Sequence, residues 1–154
     1  MNLIFKSNLM KVKKEFKNGY LIFIGIATFF LLMEFLGYSN LFYLRLLNIF
    51  IVFYGVNKTI DMRLTQAKKK FVPNAISAMI TSLVGVFLSI IGLIVYSYMK
   101  GGNAYLHSLS QSFLFGGNPS INVYCISLLF EGIASSVIVT MLLMLYWNDK
   151  HVAD

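Results

Sequence analysis

The chain has 154 residues, of which 58% are hydrophobic and only 12% charged. A soluble domain carries about 45–50% apolar and about 25% charged residues, so a soluble globular enzyme and a disordered chain are both excluded. The 13 Lys and Arg outnumber the 6 acids, for a net charge of +7. Such an excess suits nucleic acid or an anionic membrane surface, and the lysines lie beside apolar runs, which selects the membrane.

In chain order, residues 3–17 come first. Phe5, Leu9, Val12 and Phe16 recur at helical spacing, with Lys6, Lys13 and Lys17 off that stripe. This predicts a short amphipathic helix on the inner leaflet, with Lys13, Lys14 and Lys17 at lipid headgroups. Residues 20–38 form an apolar run of the length a membrane-spanning helix needs, about 17–25 residues. Its apolar core exceeds that of a signal peptide and no A-x-A site follows, so it reads as a retained anchor. A second run, 41–56, is short and holds Arg45 and Asn48. It spans a bilayer only if 38–40 or 57–60 join it. Residues 57–74 read as a basic cytoplasmic loop with Lys68, Lys69 and Lys70 facing headgroups, and Pro73–Asn74 as a helix start. The third run covers 75–99. Beyond it, Gly101–Gly102 and residues 116–119 bracket 104–115, where Leu106, Leu109 and Phe113 are helically spaced. That segment suits a short outer helix, resting on the leaflet or capping the spans, or a hydrophobic loop. The fourth run, 121–147, is long enough to tilt or project. The expected fold is an all-α membrane protein in one domain, a four-transmembrane-helix bundle.

Charge sets the orientation. Eleven of the 13 basic residues fall before the first run, between the second and third, or after the fourth. Positive flanks stay cytoplasmic, so both termini are expected there, and the alternation requires an even number of crossings. Tyr146–Trp147, and Tyr96 with Tyr98, suit opposite membrane interfaces as anchors.

Few residues carry chemistry. Glu131 lies three residues from the middle of the fourth run, about 5 Å along a helix. An intramembrane acid is a candidate proton, cation or counter-charge site; the structural reading, a neutral Glu hydrogen-bonded to a neighbour, outweighs it for Glu131. Asn48 is a plausible partner at similar depth, with Ser135 near it. Glu34 and Arg45 each sit about one turn below the outer surface on either side of the 37–40 turn, which predicts an ion pair. Ala78, Ser82, Gly85, Ser89 and Gly92 recur at spacings of 4, 3, 4 and 3. Small residues so placed let helices approach closely in lipid. They suit a seam with the fourth run, or a surface for a partner subunit. Gly132 and Ser136 form a second small-residue pair. The single cysteine, Cys125, excludes an internal disulfide and dithiol exchange. His107 and His151 lie outside the runs, which argues against haem. No P-loop, HExxH, GxSxG or dinucleotide fingerprint occurs, so neither enzymatic activity, a cofactor, a metal site nor nucleic-acid binding is expected.

Three stretches carry a resemblance: Tyr54-Gly55-Val56-Asn57-Lys58, the basic segment before Phe71, and Phe130-Glu131-Gly132-Ile133-Ala134-Ser135. With the overall layout, they make the chain similar to small four-span bacterial inner-membrane proteins of unknown function. That resemblance implies a multi-pass protein of the bacterial inner membrane and brings no catalytic residues. Small multidrug transporters, dimers of four-span units, offer a second comparison. They place an essential Glu in the middle of the first span, whereas Glu34 here is near the outer end and the deep acid is in the fourth. The leading expectation is a non-enzymatic accessory or scaffold subunit. Its partners would be membrane lipids and itself or other membrane subunits. The alternative is a small oligomeric transporter or channel using Glu131, with Asn48 and Ser135 nearby.

Overall fold

A computed structural model describes residues 2–65, 70–110 and 119–152; the side chains of 2–12, 42 and 149–152 lie outside that description. Among the described residues every regular element is helical: α1 (Asn2–Phe35), α2 (Phe42–Arg45), α3 (Asn48–Leu64), α4 (Phe71–Met99), α5 (Asn103–Ser110) and α6 (Ile121–Val152). Three segments, Lys13–Phe35, Phe71–Met99 and Ile121–Asn148, are long and apolar enough to cross a membrane. The chain is a membrane-associated, multi-pass helical protein. Phe35, Phe50, Met99 and Phe130 are each more than 65% exposed, a surface that water would not tolerate and lipid does.

The first helix corrects an expectation. Residues 3–17 do not form a separate surface helix; they are the opening turns of the 34-residue α1. The cause is visible at Glu15 and Asn18, which are buried and bind α3 and α4. Lys13, Lys14 and Lys17 point outward and are exposed. The helix stops at Gly37, whose φ of +75° suits a residue without a Cβ. Tyr38 N–H then donates to Met33 C=O at 2.8 Å and Gly37 N–H to Glu34 C=O at 3.1 Å, closing the helix end.

The second apolar run is a broken helix. After the four residues of α2, Leu46, Leu47, Ile49 and Phe50 donate three residues back at 3.1–3.2 Å, a tighter winding than the α-helix. The chain then runs as α3 to Leu64, eight residues past the expected end, so Lys58 and Arg63 are helical rather than in a loop. Helix α4 begins at Phe71, with Pro73 in its first turn where its missing N–H does no harm.

Helix α4 is central: it packs on α1, α3 and α6, while α3 also touches α1 and α6. Ile22, Val52, Val56, Ile60, Ala78, Val139, Leu143 and Met144 form the inner core. At the other end Leu106 and Leu109 of α5 pack on Ile121, Tyr124 and Cys125. The segment after α4 is therefore a short helix capping the others, turned by Gly101 and Gly102 at φ +120° and +64°; residues 111–115 of the expected helix lie outside the described ones.

Candidate functional site

A cavity of about 550 Å³ opens between α1, α2, α3, α4 and α6. Glu131 and Ser135 face it from α6, Asn48 from α3 and Arg45 from α2. The structure thus places on one cavity wall the three polar residues singled out in the sequence, together with Arg45. Most of the wall is apolar and aromatic, with Phe23, Phe30, Tyr96 and Leu128 among its members. Arg45 Nη1 donates to the Tyr124 hydroxyl, and its guanidinium carbon lies 5.4 Å from the Tyr124 ring centroid. Arg45 is also within electrostatic reach of Glu131. Asn48 Oδ1 is buried without a partner.

For Glu34 and Arg45, expected to pair, the contacts shown are with other residues: Arg45 reaches Tyr124, and Glu34 lies beside Tyr105 of α5. Arg63 and Glu15 form an ion pair. Burial, reinforced by the Glu34 carboxylate, pushes the Tyr105 phenol above the usual tyrosine range.

Below the cavity the helices close. Ile22 of α1, 1% exposed, sits where a Cβ on Gly55 of α3 or Gly85 of α4 would collide with it. Gly92 faces Phe23 of α1 in the same way. At Gly85 and Gly92 the small-residue seam of α4 therefore meets α1. Ala78 and Ser82 are fully buried in it, whereas Ser89, donating to Gly85 C=O at 2.8 Å, and Gly92 reach the cavity wall. Gly132 makes the α6–α4 approach, against Val86, and Ser136 Oγ donates to Gly132 C=O at 2.8 Å.

Further inward lies a polar cluster that sequence reasoning missed. Arg63 Nη1 donates to Glu15 at 3.2 Å and Nε to Asn74 Oδ1 at 2.8 Å, while Ser77 donates to the same Glu15 oxygen. One turn nearer the cavity, Asn18 Nδ2 donates to Thr59 Oγ1 at 2.9 Å, and Thr59 Oγ1 to Thr81 Oγ1 at 3.2 Å. The signal was present: polar residues at 15 and 18, at 59 and 63, and at 74, 77 and 81 lie one helical turn apart on three helices. Of the lysines expected at headgroups, Lys70 is exposed like Lys13, Lys14 and Lys17; Lys68 and Lys69 lie outside the described residues. Among the described residues no cluster of three His, Cys, Asp or Glu could hold a metal ion.

The chain matches no family model, no curated protein and no solved structure.

Proposed function

We propose that the chain crosses the bacterial inner (cytoplasmic) membrane four times, with α2–α3 as the further crossing and both termini in the cytoplasm. The support is the placement of eleven of 13 basic residues on one side and the packing of α3 on α1, α4 and α6. On this frame the protein is a four-helix bundle. Its function is non-enzymatic: it admits a small amphipathic solute to the cavity, as the unit of a small transporter or channel.

One observation carries this function. Glu131, Asn48, Ser135 and Arg45, from three different helices, meet in a single apolar space of about 550 Å³, a volume typical of sites for drug-sized ligands, about 300–1,000 Å³. Intramembrane charges are expensive, and charges facing a cavity mark solute or ion paths more often than packing. An accessory or scaffold role has weaker support, because the small-residue seams that would serve a partner are consumed inside the chain. Assembly with itself or with other subunits would use the exposed apolar faces, alongside lipid.

The test is thermal unfolding in nanodiscs with butylbenzene, a neutral apolar solute, for the natural protein and a Ser135→Phe variant that fills the cavity. Stabilisation of the natural protein alone is expected. No stabilisation, or equal stabilisation of both, would contradict a solute site there.

A further inference from the structure

We propose that the cavity selects a zwitterionic amphiphile: a protonated amine and an anionic group close together on an apolar body. The proposal rests on the solute-binding function above and adds the charge pattern of the solute.

Charge balance comes first. Arg45 and Glu131 line one cavity, and with both ionised their charges cancel. A lone organic cation or anion entering this low-dielectric space would leave one charge uncompensated, which is strongly unfavourable. A zwitterion brings its own counter-charge and keeps the occupied cavity neutral.

The polar groups are also sorted by depth and by type. Arg45 is held at Tyr124, and Glu131 lies seven residues further along the same helix, about 10 Å of helical rise. Of the deeper groups, Asn48 Oδ1 is a buried acceptor without a partner, and the Glu131 carboxylate is a second acceptor on the same cavity wall. A primary ammonium supplies N–H donors to them and a quaternary one does not. The guanidinium at the outer level suits a carboxylate or phosphate. Phe23, Phe30 and Leu128 of the wall offer contact to the apolar body. Two sources fit this chemistry: a free apolar amino-acid-like solute and the phosphoethanolamine headgroup of a membrane lipid.

Calorimetric titration of the full chain in phosphatidylcholine–phosphatidylglycerol nanodiscs, with empty nanodiscs subtracted, distinguishes the cases. The probes are L-phenylalanine, 2-phenylethylamine, 3-phenylpropanoate and dihexanoylphosphatidylethanolamine. At least one zwitterion should bind about ten-fold or more tightly than either singly charged probe, the worth of one charge-assisted contact. Tighter binding of phenylalanine identifies a free solute, and tighter binding of the lipid a headgroup. Glu131→Gln should shift preference to 3-phenylpropanoate, and Arg45→Gln to 2-phenylethylamine, because each variant leaves a single charge to be matched. If Arg45→Gln does not fold, Glu131→Gln decides alone. A singly charged probe binding as tightly as the zwitterions, or an unchanged preference in Glu131→Gln, overturns the proposal. Butylbenzene stabilisation would in that case still uphold the solute site. Absence of all binding overturns both.

Discussion

Arg63 and Glu15 form an ion pair at 3.2 Å, with both side chains less than 10% exposed. Forty-eight positions apart in the sequence, they lock the C-terminal end of α3 to α1, and Asn74 and Ser77 of α4 complete the cluster. With the Ile22 contact, this is a second closure between the cavity and that end of α3.

Removing one partner leaves the other charge buried without compensation. Glu15→Gln and Arg63→Gln should each destabilise the protein by about 3–5 kcal/mol. The double variant Glu15→Leu, Arg63→Met should lose much less than the two single losses together, because no charge is left stranded. Unfolding in mixed detergent micelles measures all three. Additive losses would show that the pair is not a coupled unit.

Ile22 gives a packing prediction. A methyl added by Gly85→Ala falls at 2.6 Å from Ile22 Cγ2 and 3.1 Å from the Gly19 carbonyl. The resulting overpacking should cost about 1–3 kcal/mol. Adding Ile22→Ala, which removes Cγ2, to Gly85→Ala should recover part of that loss, although Ile22→Ala alone is destabilising in a full core. The same micelle titration reads the recovery. Its absence would mean that Gly85 does not meet α1 through Ile22.

Tyr105 makes stability sensitive to alkaline pH. Its phenol is held above the ordinary tyrosine value by burial first and the Glu34 carboxylate second. Above about pH 10, the ordinary tyrosine value, the unfolded chain releases a proton that the folded chain keeps. The stabilisation is therefore complete below that pH and is lost as the pH rises through and beyond it. Tyr105→Phe should flatten the decline in melting temperature above pH 10 and leave neutral-pH stability nearly unchanged. An identical alkaline decline in both proteins would remove Tyr105 as its source.

Trp147 ties the inner end of α6 to α3 through Nε1–H donating to Asn57 Oδ1 at 2.9 Å. Trp147→Phe keeps an aromatic ring at the interface and removes that bond. A loss of about 1 kcal/mol is expected, visible as faster hydrogen exchange at the inner end of α6. Unchanged exchange there would show that the bond holds nothing in place.

What the sequence made legible follows from what lipid demands locally. Length and apolarity mark 20–38, 75–99 and 121–147 whatever they pack against, and all three fall on helices long enough to span. Glu131, Asn48 and Ser135, singled out by their place along the runs, line one cavity. Pairing was less legible. The small-residue seam of α4 was visible, but which helix fills it depends on the bulky residue opposite, and Ile22 of α1 looks like any other apolar residue in sequence. The second run reads as one straight helix in sequence, and nothing local marks the tight winding at Leu46–Leu47. Glu15 and Arg63 were hidden among charges assigned to the solvated inner side, because residues 57–64 continue α3 instead of forming a loop.

Every functional inference requires that α2–α3 cross the bilayer, which places Arg45 and Asn48 at the depth of the cavity. Reporters fused to the two ends of the chain, one active only in the cytoplasm and one only outside it, test this directly. The account predicts that both ends report the cytoplasm. Ends on opposite sides would mean three crossings and would contradict it.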